Sequence, residues 1–164
     1  MHLPPYNKFP EISSSKIVLR QVFVSDAKDI LDISFYDSNV ATTMEEAIEI
    51  QNRIDLDYQN GSSIHWAIVD KNTNLIAGTL GYYRGFENEI GELGCVLKPE
   101  FFGKGFMTLA MKLAIEFGRN KIGLKKVIAV TTQDNFKAIE LFDRLNFEIV
   151  TVNGNEINFQ YKII

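Results

Sequence analysis

The chain has 164 residues, of which 46% are hydrophobic and 23% are charged, as in an ordinary globular domain rather than a disordered segment. A net charge of −4 argues against a duplex nucleic-acid binder, and one cysteine and two histidines argue against a disulfide or a metal site. Because no apolar run approaches the ~20 residues that span a bilayer and no secretory signal is visible, we expect a cytoplasmic protein without a membrane partner.

Residues 1–15 contain three of the four prolines, which predicts an extended arm or a frayed start. Residues 16–164 are expected to form a single domain, since no repeat or linker interrupts them. Hydrophobic periodicity and turn residues predict its first elements in chain order. These are a strand at 16–22, helices at 25–35 and 43–60, and strands at 64–69, 75–83 and 89–97. Residues 37–39 are expected to end the first helix, and Thr43 with Glu46 to cap the second.

The second part of the domain starts after Pro99, which ends the preceding strand. The pattern predicts a helix, a strand, another helix and a closing hairpin. Their ranges are 106–120, 126–131, a helix that begins at Asn135, and strands at 147–152 and 156–163. The element order β-α-α-β-β-β-α-β-α-β-β therefore predicts one α+β domain around a central mixed sheet.

A strand, a Gly-x-Gly turn and a helix follow one another directly at Gly103, Lys104 and Gly105. The first turn of a helix has N–H groups without partners, and the helix dipole favours an anion there. Glycines allow the backbone to approach a phosphate closely, and Lys104 adds positive charge. Taken alone, this pattern fits either a phosphate site or a tight connection.

The wider segment around this turn carries a more specific signal. Residues 92–108, Glu-Leu-Gly-Cys-Val-Leu-Lys-Pro-Glu-Phe-Phe-Gly-Lys-Gly-Phe-Met-Thr, resemble the acetyl-CoA motif of the GNAT superfamily of N-acetyltransferases, in the branch named for RimJ and RimL. The segments Asn135–Ala138 and Leu141–Phe147 resemble two later motifs of that family. The resemblance implies a three-layer α+β fold, with helices on both faces of a mixed, mostly antiparallel sheet that is splayed at the cofactor site.

In this family the pantetheine arm of CoA lies between two splayed strands, which here are the fourth strand and the strand at 126–131. The resemblance therefore implies acetyl-CoA as cosubstrate, with the Leu97 amide polarising the thioester carbonyl. The pyrophosphate is expected on the backbone of the glycine turn, and the Asn135 side chain beside the cofactor. The residues expected to contact the cofactor are Cys95, Val96, Leu97, Gly103, Lys104, Gly105, Phe106, Met107, Thr108 and Asn135.

Glu92 is the candidate general base, because an attacking amine must lose a proton and a nearby carboxylate accepts it directly or through water. Glu92 also fits a polar residue on a half-exposed strand. The chain departs from the family at Phe102, a position that is usually Gln or Arg. It also departs at Phe142, where many members have a tyrosine that acts as general acid. Cys95 is expected to be a small strand residue rather than a nucleophile.

The predicted reaction transfers an acetyl group to a primary amine within a ternary complex. This amine is either a small molecule or a protein N-terminus. The acidic second helix fits either an attractive rim for a cationic amine or a solvated face. The pair His65-Trp66 fits a surface or core-edge pair better than an acceptor contact, and the aromatic residues Tyr82, Tyr83 and Phe86 fit packing better than an acceptor pocket. The alternatives are a non-catalytic acyl-CoA-binding or partner-binding module on this fold, or a domain unrelated to CoA. The closing hairpin and sheet edge allow a homodimer.

Overall fold

The computed structural model describes residues 1–37 and 39–163, and most of its strands belong to one sheet. The strands are β1 (Ile12–Ser13), β2 (Ile17–Gln21), β3 (Phe35–Tyr36), β4 (Asn39–Val40), β5 (Ile64–Asp70), β6 (Ile76–Tyr83), β7 (Ile90–Leu97), β8 (Lys126–Thr132), β9 (Glu148–Asn153) and β10 (Glu156–Lys162). The helices are α1 (Ala27–Ile30), α2 (Met44–Gln59), α3 (Phe106–Phe117) and α4 (Phe136–Arg144). Ser38 and Ile164, which the sequence places in the break after the first helix and at the end of the domain, lie outside the described residues.

The large sheet has the order β1-β2-β5-β6-β7-β8-β10-β9. Within the described residues, its pairs are antiparallel except β7 with β8, which run parallel. Helices cover both faces. Leu93 and the α3 residues belong to one apolar cluster, whereas Val96 packs with α1 residues in another, because successive strand side chains point to opposite faces. The predicted mixed, mostly antiparallel sheet between helices is confirmed.

The N-terminal arm is packed against the sheet and α2, so the alternative of a frayed start is wrong. The Tyr6 N–H donates to the Tyr58 hydroxyl at 3.0 Å, and the indole N–H of buried Trp66 donates to the Pro10 carbonyl at 2.9 Å. Strand β1 adds its backbone to β2. Proline content predicted an extended chain, but the partners of Tyr6 and Pro10 lie more than fifty positions away in the sequence.

The first predicted helix is broken in the structure. α1 is a single turn of four residues between two short 3-10 turns, and the chain becomes extended at Ser34. There the Ser34 carbonyl accepts from the Ala41 N–H at 2.9 Å, which sets up the β3–β4 hairpin that the sequence did not predict. The longer helices match their predictions closely, and the helix after the glycine turn continues through a π-helical turn at Gly118–Ile122.

Asp26 holds the chain at the entry to α1. Its carboxylate accepts from both terminal nitrogens of Arg20, at 2.7 and 3.0 Å, and from the Phe23 N–H at 2.8 Å. Burial alone would raise the pKa of Asp26, but the hydrogen bonds from Arg20 and Phe23 and the charge of Arg20 outweigh burial and lower it.

We expect Asp26→Asn to lower the free energy of unfolding by about 1–3 kcal/mol at pH 7, because hydrogen bonds to a charged group are lost. A pKa that folding lowers adds stability above the unfolded-state pKa of about 4, and this stability disappears as the pH falls through the folded-state value. Urea unfolding at pH 7 and pH 3 should therefore show a smaller difference between the two proteins at pH 3 than at pH 7. An equal difference at both values would contradict the charged interaction.

Candidate active site

A gap opens in the sheet between β7 and β8. The two strands pair from Ile90 with Lys126 to Glu92 with Ile128, and then diverge although both continue. The Lys98 N–H donates to the Ala77 carbonyl of β6 at 2.8 Å. Because backbone groups alternate along a strand, the N–H and C=O of Cys95 and Leu97 point the other way, into the gap. An extended ligand with amide groups can pair with this edge.

A cradle of backbone N–H groups lies beyond the end of β7. Gly103 and Gly105 have positive φ angles of 72° and 78°, and a Cβ placed on either meets nothing within 4 Å. The first N–H groups of α3, on Phe106, Met107 and Thr108, have no backbone acceptor among the described residues. The loop therefore offers an open, positively polarised surface of the kind that binds phosphates.

Lysines surround this cradle. Lys16, which directly precedes β2, donates to the Lys104 carbonyl, and its Nζ lies 4.7 Å from the centre of the Phe106 ring. Lys137 of α4 lies 3.9 Å from the ring centre of Phe102, the position where the resemblance implies a polar side chain. Lys16 and Lys137 were not predicted from the sequence, since their neighbours lie far away along the chain. They supply positive charge where Phe102 cannot.

Asn135 caps α4 rather than pointing freely toward the gap. Its Oδ1 accepts from the Ala138 N–H at 3.2 Å, as expected of a residue at a helix N-terminus. The Nδ2 group has no partner among the described residues, so a hydrogen bond from this amide to a ligand is still available.

Glu92 lies on the face of β7 that α1 and α2 cover, and its cross-strand partner in β6 is Tyr83. Its Oε1 accepts from Nη1 of Arg84 at 2.6 Å, and its side chain is 21% exposed. Arg84 has a positive φ of 62° in the turn after β6, and it was not singled out from the sequence. The ion pair orients the carboxylate and leaves Oε2 for another partner. Glu89, which directly precedes β7, pairs with Lys125.

Two side chains with possible chemical roles are inert in this fold. Burial raises the pKa of the Cys95 thiol to about 12, so the thiolate needed for nucleophilic attack does not form near neutral pH. Phe142 is buried against Phe147 and Phe159, with ring centres 5.3 and 4.8 Å away. The position at which the resemblance implies a tyrosine therefore has no hydroxyl.

His65 and Trp66 are both buried and point to opposite faces of β5, so the surface alternative for this pair is wrong. Trp66 packs against Phe117 of α3, with ring centres 5.3 Å apart. His65 lies on the α1–α2 face, where it lines a cavity of about 10 Å³ with Gln51, Thr79 and Tyr83. Burial lowers the pKa of His65 to about 4, so the imidazole is neutral near pH 7.

The acidic side chains of α2 differ in their surroundings. Asp55 accepts from Nε2 of buried Gln51 at 2.9 Å, and burial raises the pKa of Asp55. Asp57 accepts from the Tyr36 hydroxyl at 2.8 Å. Glu45 and Glu49 are exposed, so part of the predicted acidic rim is in solvent and part is used in internal hydrogen bonds.

A further cavity lies away from this cleft. It has a volume of about 350 Å³ and is lined by the carboxyl-terminal part of α3, its π-helical extension and β10. In the described part of the chain, no group of three or more His, Cys, Asp or Glu side chains is placed to hold a metal ion. No described helix is both long and apolar enough to cross a bilayer.

The splayed strands, the glycine cradle and the helical layers match a known family. The family described as acetyltransferase (GNAT) domain matches residues 16–148. The chain belongs to the GNAT acetyltransferase family. The family expected from the sequence is confirmed, and the protein is an acetyl-CoA-dependent N-acetyltransferase.

Individual relatives agree with this assignment. The uncharacterized N-acetyltransferase YoaA of Bacillus subtilis (strain 168) is 24% identical over 148 residues, which are 85% of this chain and 84% of YoaA. Spermidine N(1)-acetyltransferase of Escherichia coli (strain K12) is 34% identical over 73 residues, 43% of this chain and 39% of that enzyme. The structure of RimL, a ribosomal L7/L12 alpha-N-protein acetyltransferase, in complex with coenzyme A has a TM-score of 0.80 and 19% identity, over 94% of this chain and 98% of RimL.

Proposed function

We propose that this acetyltransferase binds acetyl-CoA along the β7–β8 gap, with its pyrophosphate in the cradle at Gly103–Thr108, and transfers the acetyl group to a primary amine. The observation that carries the proposal is the continuity of the two features. The open backbone edge of Cys95 and Leu97 leads directly into the free N–H groups at the start of α3. A thioester on an extended, amide-containing arm needs the open strand edge for its amides, and its phosphate group needs the N–H groups at the start of α3.

The transfer is direct, within a ternary complex. An ammonium acceptor first gives one proton to Oε2 of Glu92, directly or through a water, and the resulting amine attacks the thioester carbon. The new C–N bond forms while the Leu97 N–H, which points into the gap, stabilises the carbonyl oxygen. The C–S bond then breaks with its electron pair on sulfur, the amine nitrogen loses a second proton, and CoA leaves as the thiol.

The acceptor is a primary amine with positive charge at neutral pH. Exposed Glu45 and Glu49 on α2 favour the approach of a cation to the α1–α2 face. The names of the relatives support both a polyamine and a protein N-terminus as acceptor classes. We expect the enzyme to work in the cytoplasm, where its free cysteine stays reduced.

A homodimer is part of this proposal. Strand β9 is the edge of the sheet and is exposed along its whole length, including Ile149, Val150 and Val152. An exposed edge with β-branched side chains pairs readily with the same strand of a second copy. Light scattering of the wild-type protein and of Val150→Lys would test this pairing.

One second candidate is favoured by specific observations. Phe102 and Phe142 stand where the family has polar side chains, which fits a non-catalytic module that binds acyl-CoA. Calorimetric titration with acetyl-CoA, followed by assays for free thiol with spermidine and with a peptide that begins with alanine, separates the two. Binding with thiol release supports the enzyme proposal. Binding without turnover supports the module, and absence of binding removes both.

A further inference from the structure

The cavity of about 350 Å³ lies at the end of α3 that is opposite the glycine cradle. Small-molecule sites in proteins have volumes of about 300–1,000 Å³, so this cavity has room for such a ligand. Its walls are the carboxyl-terminal half of α3 with the π-helical turn, the end of α4 and the end of β10. The reaction proposed above makes no use of it.

Cationic side chains from two helices converge on this cavity. Lys112, Glu116 and Arg119 follow one another at intervals of four and three residues, which places them on one face of α3 and its extension. Arg144 faces the same cavity from the last turn of α4. Three cations and one carboxylate therefore line a cavity in a chain whose net charge is −4.

The structure gives these cations little other work. The three ion pairs of the described residues lie elsewhere, so none of the cations has a carboxylate partner there. A cation near the carboxyl end of a helix stabilises the helix, which accounts for the positions of Arg119 and Arg144. Lys112 is in the middle of α3 and has no such role. Its convergence with the two arginines indicates a site for an anion.

The remaining walls of the cavity are largely apolar. Ile115 and Leu145 are buried, and Tyr161 and Ile163 are half-buried. A bare inorganic ion would leave this surface in contact with water. A ligand with an apolar body covers the surface, while its charged group makes strong hydrogen bonds with the cations. The lining therefore fits a small organic anion.

The strands beside the cavity add positive charge. The Ile163 N–H donates to the Lys125 carbonyl at 3.0 Å, so the start of β8 lies next to the cavity wall. Lys126 and Lys162 are directly opposite each other in the register of β8 and β10. Like charges in this relation lower the stability of a sheet. Together they give this end of the molecule a field that favours the approach of an anion.

Arg144 connects the cavity to the cofactor cradle. Its Nη1 donates to the Thr108 hydroxyl at 3.2 Å. Thr108 is in the first turn of α3, whose N–H groups are proposed to hold the pyrophosphate. One guanidinium therefore lies between two anion sites, and a negative group in the cavity competes with the cradle for its charge.

We propose that the cavity binds a small organic anion with an apolar body, and that this ligand weakens acetyl-CoA binding by drawing Arg144 away from the cradle. Binding at the cavity is independent of the proposed function, whereas its effect on acetyl-CoA rests on it. Coupling between two binding sites is reciprocal, so acetyl-CoA weakens binding of the anion by the same factor. The site makes acetylation sensitive to the anion when acetyl-CoA is below saturation.

The first test titrates the full chain with phenyl phosphate and follows binding by ligand-observed NMR. We expect a dissociation constant of about 1 mM or less. Inorganic phosphate and phenol each supply only one part of the ligand, so both should bind at least about fivefold more weakly. Absence of phenyl phosphate binding, or equally tight binding of inorganic phosphate, would overturn the proposal.

Two variants in the π-helical turn locate the bound probe. Arg119→Gln should weaken phenyl phosphate binding about tenfold, because a charge-assisted hydrogen bond is lost. Lys121→Gln is the matched control, since Lys121 has the same charge in the same turn but does not line the cavity. Its affinity should stay within about twofold of wild type. Equal losses in the two variants would show that general positive charge, rather than the cavity, attracts the probe.

Gly105→Trp separates the cavity from the cradle, because the indole would cover the cradle at the opposite end of α3. Phenyl phosphate should bind this variant as tightly as it binds the wild type. Loss of binding in Gly105→Trp would mean that the probe occupies the pyrophosphate position, and the cavity site would be rejected.

The coupling is tested by titrating acetyl-CoA at increasing concentrations of phenyl phosphate. The apparent dissociation constant of acetyl-CoA should rise about fivefold and then level off, because both ligands bind together. A rise that stays proportional to the probe concentration would show competition for one site and overturn the coupling. If acetyl-CoA does not bind but phenyl phosphate binds and is lost in Arg119→Gln, the cavity site stands and the proposed function fails.

Thr108→Val tests the link through Arg144. It leaves every lining residue of the cavity in place and removes the hydroxyl that accepts from the guanidinium. The rise in the acetyl-CoA dissociation constant at saturating phenyl phosphate should shrink to less than about twofold. An undiminished rise in Thr108→Val would contradict the role of Arg144.

Discussion

Gly105→Trp is expected to weaken acetyl-CoA binding at least about 100-fold, a loss of about 3 kcal/mol in binding free energy. A Cβ on Gly105 meets no protein atom within 4 Å, so an indole at this position extends into the space over the first turn of α3. There it blocks the N–H groups that we assign to the pyrophosphate. Calorimetric titration with acetyl-CoA measures the effect.

The same substitution at Gly154 is a matched control. Gly154, in the turn between β9 and β10, also has a positive φ, of 59°, and open space around a Cβ. Both variants therefore carry a similar backbone cost of about 1–2 kcal/mol in stability. Only Gly105→Trp should lose acetyl-CoA. Equal affinities in the two variants would show that the cofactor does not use this cradle.

Most strands of the sheet were predictable because their signals are local. Alternating β-branched residues, the Thr43 cap and the Asn153-Gly154 turn each depend on a few neighbouring positions. The glycine turn and the helix after it were also predictable, because they are contiguous in the sequence, whereas their assignment to the cofactor comes from the family resemblance. The β3–β4 hairpin was not predicted, since its strands have two residues each and their hydrophobic pattern continues that of the preceding helix.

Contacts between distant segments could not be read in the same way. Trp66 with Pro10, and Lys137 with Phe102, join residues that only the folded sheet brings together. The position of Tyr83 depends on Gly94, whose lack of a side chain has meaning only once β6 and β7 are in register. Likewise, the sequence does not show that the buried Nδ1 of His65 has no partner among the described residues.

Glu92 is the remaining residue on which the proposed chemistry depends. We expect Glu92→Gln to lower kcat by about 10³-fold, because the amide keeps the shape of the side chain but cannot accept the first amine proton. The acetyl-CoA affinity should stay the same, since Glu92 lies on the acceptor face of β7. Steady-state kinetics with both amines, together with calorimetry, give the two numbers.

Glu89→Gln is the control for this variant, because Glu89 is also paired with a cation and lies just before β7, outside the strand that carries Glu92. Its kcat should stay within about twofold of wild type, since an exposed ion pair contributes little. Arg84→Ala adds a further comparison, because it frees the Glu92 carboxylate without removing it. If Glu92 accepts the proton, Arg84→Ala retains much more activity than Glu92→Gln. Equal losses in Arg84→Ala and Glu92→Gln would mean that the ion pair, rather than the base, is what the reaction needs.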